Sequence, residues 1–153
     1  MRERFITELK KIDEKLSEMG EIAVGSINQA FSALKDLDEK LIAKIKENDG
    51  RLYKLSIEIE KDCIQLIALQ APVAKDLRFT ASALKLTTDL DRIGRYGLDI
   101  AKQVEIMIKE KETHFKRLVG LERLTELVSR MVTMSVGSFI ERDKESAKKV
   151  FEI

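Results

Sequence analysis

Between Phe5 and Leu34 the apolar positions fall at Phe5, Leu9, Ile12, Leu16, Met19, Ile27, Ala30, Phe31 and Leu34. Steps of three and four dominate, which is the period of a long amphipathic helix. Gly20 and Gly25 lie inside it and each weakens a helix by about 1 kcal/mol relative to alanine. They read as tolerated interior glycines, with a bend or a close helix contact as the alternative. The run KDLDEKL interrupts the pattern, and Asp38 is placed to cap a second helix that begins at Glu39. That helix carries Leu41, Ile45, Leu52, Leu55, Ile59, Cys63 and Leu66. Asn48-Asp49-Gly50 spells a turn, so a break near Gly50 stands as the alternative to one continuous helix.

At Gln70-Ala71-Pro72 the second helix must stop, because proline lacks the amide and disfavours helical geometry in the residue before it. Proline suits a first helical turn, so a third helix restarts there. Its stripe reads Val73, Leu77, Ala81, Leu84, Thr88, Asp91, Leu98, Ala101, Val104 and Ile108, with Thr88 and Asp91 as polar interruptions. The charged run KEKETHFKR is a connector, and His114 within it reads as a solvent-exposed loop residue. A fourth helix carries Leu118, Leu121, Leu124, Leu127, Val128, Met131, Met134 and Phe139. Asp143 then caps a short fifth segment, ESAKKVFEI, whose apolar residues are Ala147, Val150 and Phe151, and the sequence ends within that helical pattern. The pattern predicts an all-α antiparallel helical bundle.

Composition sharpens this. At 153 residues the chain suits one cooperative unit. Scarce glycine and proline with 36% charged residues favour helices over sheets. Lys and Arg total 28 against 27 Asp and Glu, so the net charge of +1 offers no broad basic field for nucleic acid. No direct nucleic-acid partner is expected. No apolar run approaches the roughly 20 residues that span a bilayer, which leaves only peripheral membrane association through partners. The single cysteine cannot form an intrachain disulfide or a cysteine-based zinc site, and this fits a cytoplasmic location. Cys63 sits on the apolar stripe without a His or basic residue spaced to activate it, so it reads as a small core residue. No glycine-rich phosphate loop or nucleophile–base pair is recognisable, and the chain reads as no enzyme.

Two segments match each other weakly. SINQAFSALKDLDEKLIAKIKEND set beside TMSVGSFIERDKESAKKVFEI places Asp38 over Asp143, Ile45 over Val150 and Glu47 over Glu152. The central strings CIQLIALQAPVAKDLR and LKLTTDLDRIGRYGLDIAK supply a more specific signal. They resemble the PhoU family of phosphate-uptake regulators, which shows a Pro-x-x-x-Asp-Leu-Arg element, here Pro72, Asp76, Leu77 and Arg78. A second family element, Glu-Arg-Ile-Gly-Asp, corresponds to Asp91, Arg92, Ile93, Gly94 and Arg95. The resemblance implies one PhoU-like three-helix repeat over residues 1–112 and the start of an incomplete second repeat over 113–153. The family usually carries two complete repeats, so the sequence reads as a shortened or unusually short member.

The resemblance also carries a chemical expectation. Family members bind iron or other metal ions through Glu/Asp-x-x-x-Asp pairs on the second and third helices of a repeat. Residues four apart share a helix face, so two facing helices can surround a hard or borderline cation with oxygens. The corresponding positions here read Asp49-Gly-Arg-Leu-Tyr53 and Asp91-Arg-Ile-Gly-Arg95, so each pair keeps its first acid and loses its second. Glu47, Asp49, Asp89 and Asp91 remain as candidate ligands, while Arg95 opposes a cation and is spaced to pair with Asp91 or Asp99. Asp76, Arg78, Arg92 and Arg95 are candidate partner contacts. The partners implied are the ATPase subunit of a phosphate ABC transporter and a phosphate-sensing histidine kinase. A metal-binding helical bundle and a plain oligomerisation module are the alternative functions. The fourth helix, left without a bundle of its own, should pack on the first three helices or on another subunit, and a homodimer is predicted.

Overall fold

The computed structural model describes residues 2–114 and 118–153. Five helices follow one another, α1 (Arg2–Asp36), α2 (Glu39–Gln70), α3 (Ala74–Glu110), α4 (Val119–Glu141) and α5 (Lys144–Lys149), and a 3₁₀ turn (Val150–Glu152) closes the chain. Helices α1, α2 and α3 all pack on one another, whereas α4 lies against α1 and carries α5 at its end. Gly50 does not break α2, because nothing crowds it and the helix runs on through it.

Local chemistry sets the ends of the helices. The Asp38 carboxylate accepts from the Lys40 amide at 2.8 Å and caps α2. After Gln70, Ala71 turns left-handed, and Val73, extended, precedes the first residue of α3. The α1–α2 and α4–α5 corners repeat one design. Leu37 and Arg142 both take positive φ. Behind them the Asp38 amide donates to the Ala33 carbonyl at 3.2 Å, and the Asp143 amide to the Ser138 carbonyl at 2.9 Å. Each aspartate then caps the next helix. Ser146 donates its hydroxyl and amide to Asp143, and these bonds hold that carboxyl below its ordinary pKa.

The core runs along two seams of heptad spacing. On α1 the buried residues are Ile12, Leu16, Met19, Ala23, Ser26, Ala30 and Ala33. On α3 they are Thr80, Ala83, Thr87, Leu90, Gly94, Gly97, Ala101 and Val104. Small residues let the helices approach closely. A Cβ on Gly97 would lie 3.0 Å from the Ser26 carbonyl oxygen, and one on Gly94 would lie 2.0 Å from Leu52 Cδ1. Helix α2 contributes Ile42, Ile45, Leu52, Leu55, Ile59, Cys63 and Leu66. Ion pairs staple the exterior, with Lys15 reaching Asp62 at 2.8 Å and Glu58 at 3.2 Å, and Arg51 reaching Glu18 at 2.6 Å.

The structure departs from the apolar pattern in four places. The stripe of α3 is rotated from the expected one, so Val73, Leu77, Ala81 and Thr88 are exposed. Buried Thr80 and Thr87 satisfy their hydroxyls on the carbonyls of Asp76 and Ala83, which lets them replace aliphatic side chains. On α4 the side facing α1 is Val132 and Val136, while Leu121, Leu124 and Met131 lie exposed. Gly20 makes that contact possible, since its missing Cβ would fall 3.1 Å from a Val136 methyl. Gly25 meets nothing and is a tolerated glycine. Finally, His114 is half-buried, because its Nε2–H donates to the Leu34 carbonyl, one of the open carbonyls at the end of α1. Phe115, Lys116 and Arg117, at the end of the charged connector, lie outside the described residues.

Candidate functional site

The chemically distinctive surface lies where α2 and α3 run side by side. Leu52 fills the space above Gly94, and this close approach sets the outward positions that follow each residue next to one another. Asp49 and Tyr53 stand on the α2 edge, and Asp91, Arg95 and Asp99 on the α3 edge.

Arg95 is the centre of this group. Its Nη2 donates to Asp91 Oδ2 at 2.9 Å, one helical turn back. That hydrogen bond, followed by the negative charges of Asp91 and Asp49 and then Asp99, raises the guanidinium pKa above its ordinary value. A fixed cation therefore sits among the carboxylates. The other two candidate ligands point elsewhere. Residues two apart on a helix lie about 200° apart around its axis, so Glu47 cannot share Asp49's side, nor Asp89 that of Asp91. Glu47 instead pairs with Lys44 at 3.2 Å, and Asp89 is exposed. Among the described residues no group of three His, Cys, Asp or Glu side chains converges on a point where a metal could be held. With Arg95 already bound to Asp91, the donor set does not fit a resident cation, and no chemistry is routed through one.

The candidate partner contacts divide in the same way. Arg92 and Arg95 belong to the α2–α3 face, where the Arg92 guanidinium stands 3.5 Å from the Tyr96 hydroxyl. Asp76 and Arg78 lie apart, exposed in the first turns of α3. Their position has one electrostatic consequence: Asp76 stands at the positive end of the helix dipole.

Several residues of this face were absent from the sequence reasoning. Ile57 and Ile64 on α2 and Tyr96 and Ile100 on α3 are exposed beside Tyr53, although each could be buried on composition alone. Their signal is displacement from the buried stripe, since 53, 57 and 64 recur in steps of four and seven on the opposite side from Leu52, Leu55 and Ile59. A shallow cavity of about 320 Å3 opens between the helices, lined by Ser56, Glu60, Ile64, Leu84, Thr88 and Asp91. Tyrosine, arginine and isolated aliphatics around a groove are the side chains that anchor protein partners. Nothing there is arranged as a nucleophile. Cys63 is fully buried beneath the face, and burial, then the Asp62 charge, pushes its thiol up to about 11.

Comparison with known proteins accounts for this architecture. The PhoU domain matches residues 16–104. A phosphate-specific transport system accessory protein PhoU homolog of Aquifex aeolicus is 32% identical over 149 residues, covering 97% of this chain and 66% of that protein. A protein of the same description from Clostridium acetobutylicum is 32% identical over 150 residues, covering 97% and 68%. The chain thus spans about two thirds of the length of these relatives. The crystal structure of PhoU from Pseudomonas aeruginosa superposes with a TM-score of 0.89 at 28% identity, covering 97% of this chain and 70% of that one. With the domain matched over more than half of its length and the fold reproduced, the chain belongs to the PhoU family.

Proposed function

We propose that the protein regulates phosphate uptake as a non-enzymatic helical adaptor, docking on the ATPase subunit of a phosphate ABC transporter and, where one exists, on a phosphate-sensing histidine kinase. The observation that carries this reading is the 32% identity, across 97% of the chain, to proteins described as phosphate-specific transport accessory proteins. The α2–α3 face supports it, because a packed pair of helices presents Tyr53, Ile57, Arg92, Arg95 and Tyr96 on a preformed backbone that does not have to be ordered on binding. An adaptor acts by binding one conformation of its partner better than another, which shifts the partner's equilibrium without any bond being made or broken. A transporter ATPase works where ATP is, so the adaptor would act at the cytoplasmic surface of the membrane. Among the described residues no helix is long and apolar enough to cross it.

The test is retention of the transporter ATPase on the immobilised protein, from membranes solubilised after growth in high phosphate. Arg92→Glu with Arg95→Glu should weaken the contact by roughly tenfold or more if these residues are anchors. Repeated failure to retain the ATPase under high phosphate would overturn the proposal. Retention that is indifferent to both substitutions would move the docking surface away from this face.

A further inference from the structure

The loop that joins α2 to α3 turns apolar side chains outward at the closed end of the hairpin. Leu69 is 71% exposed, Val73 76% and Leu77 40%, and Ala71 and Ala74 between them are exposed as well. Leu69 lies one residue before the end of α2 and Leu77 three residues into α3, so the apolar cap is only about 5 Å deep along the helix axes. The charge around this cap is predominantly positive. Between Cys63 and Lys85 the cations are Lys75, Arg78 and Lys85, and the one acid is Asp76. Arg4 of α1 joins them, since it shares a small cavity with Leu69 and Gln70. The acids of that cavity, Glu8 and Asp62, are paired with Lys11 and Lys15. Among the described residues no ion pair engages Arg4, Lys75 or Arg78, and their charges face solvent. The start of α3 adds to the field. Val73 stands at the N-cap and offers no side-chain acceptor, so the positive end of a 37-residue helix is left open.

We propose that the α2–α3 tip inserts into the surface of an anionic lipid bilayer. Leu69, Val73 and Leu77 reach the outermost acyl chains, and Arg4, Lys75 and Arg78 lie against the headgroup phosphates. The composition of the tip selects this occupant. Protein interfaces are enriched in aromatic residues, Met and Arg and poor in Lys and Ala. The tip is built of Leu, Val, Ala and Lys, with no aromatic residue between Cys63 and Arg78. An aliphatic cap with a cationic rim is instead the make-up of a segment that lies in a membrane interface, where a depth of about 5 Å is the shallow end of the usual range. The open amides of α3 agree with that depth, because headgroups supply acceptors that the acyl core lacks. With the tip inserted, α2 and α3 stand away from the bilayer and carry the Arg92 and Arg95 surface beside it.

The 153-residue protein should sediment with vesicles of equal parts phosphatidylglycerol and phosphatidylcholine, and stay in solution with phosphatidylcholine alone. Lys75→Gln with Arg78→Gln should weaken binding to the mixed vesicles by roughly thirtyfold. Leu69→Gln with Val73→Gln should weaken it by roughly tenfold or more. All four side chains are exposed, so far-UV dichroism should not change. The chain has no tryptophan, which makes Val73→Trp a clean reporter of insertion. Its emission should move to the blue with mixed vesicles and be quenched by brominated acyl chains. Lys40→Trp, at the opposite end of α2, should show neither effect. Absence of binding to the mixed vesicles, binding indifferent to both pairs of substitutions, or equal quenching of the two tryptophans would overturn the proposal. So would a protein that ignores vesicles but loses the transporter ATPase in detergent through Leu69→Gln with Val73→Gln, an outcome that gives the tip to a protein partner. Retention of the ATPase without vesicle binding removes this proposal alone, and vesicle binding without the ATPase supports it while removing the adaptor reading.

Discussion

Gly94→Ala should destabilise the protein, even though glycine is a poor helix former and Gly94 lies well inside α3. Alanine gains about 1 kcal/mol from helix propensity at such a position. Against this, the new methyl would lie 2.0 Å from Leu52 Cδ1. Carbon atoms prefer separations of about 3.5–4.0 Å, so Leu52 must move by more than an ångström. Leu52 is fully buried and has no solvent to move into. Forcing a methyl into such a packed site costs about 1–3 kcal/mol, so the net change is a loss of up to about 2 kcal/mol. Gly50, exposed on α2 with nothing within 4 Å of its missing Cβ, supplies the opposite sign: Gly50→Ala should stabilise by up to about 1 kcal/mol.

The assay is urea unfolding followed by far-UV dichroism at one fixed protein concentration, since any self-association would couple stability to concentration. Leu52→Ala on its own should cost about 2–5 kcal/mol. In that background Gly94→Ala no longer meets the leucine and should become stabilising, leaving a coupling of about 1–3 kcal/mol between the two sites. If Gly94→Ala raises the midpoint in the original protein as Gly50→Ala does, or shifts it by the same amount with and without Leu52, the close approach of α2 and α3 at this point is refuted.

Other outcomes follow from single groups. Arg142 bonds Asp13 at 3.0 Å and lies 4.1 Å from the Phe79 ring centroid, so Arg142→Met should cost about 1–2 kcal/mol at neutral pH by leaving Asp13 without a partner, measured by the same urea titration. Burial raises the Asp13 pKa above 3.8 despite the opposing hydrogen bond and charge of Arg142. Between 3.8 and that raised value the folded state holds the extra proton, so the Asp13 contribution to stability falls as pH rises. Asp13→Asn should therefore gain relative to the original protein with rising pH across that window, and a flat difference would contradict the assignment. Arg95→Asp places a second carboxylate four residues after Asp91 and should bind manganese at least tenfold more tightly than the original protein by calorimetry. Equal binding by both would remove Arg95 as the group that excludes metal. Cys63 should be silent to a disulfide exchange reagent in the folded protein and react fully in urea, whereas reaction within minutes under native conditions would contradict its burial.

How far the sequence revealed this structure depended on which residues carried each feature. The α2 stripe was legible because Leu52, Leu55, Ile59, Cys63 and Leu66 are large or sulfur-bearing and all are buried. The helix ends were legible because Asp38, Pro72 and Asp143 act locally. The first half of the α3 face was not, because Thr80, Ala83, Thr87, Gly94 and Gly97 are small or polar while the larger Val73 and Leu77 are exposed and draw the expected stripe to a neighbouring side, whereas Ala101 and Val104 are buried as expected. The regular three-four spacing of the small residues is the signal that was available, and only the facing residues, Ser26 and Leu52, explain why small side chains are required there.

The candidate site divides along the same line. Losing an acid at Tyr53 and Arg95 is visible in the sequence as a weakened ligand set, but the sequence alone leaves Arg95 free to pair with Asp91 or Asp99. The structure places its hydrogen bond on Asp91, with Asp49 the next carboxylate in its field. Three carboxylates around an α2–α3 seam repel one another unless a cation is present, and here the cation is part of the chain. A covalently held guanidinium cannot dissociate, so the charge balance of this face is independent of metal concentration, and metal removal should leave the unfolding midpoint unchanged. Gly94 and Arg95 therefore act on the same seam. Glycine brings the two acidic edges together, and arginine offsets part of their charge where they meet.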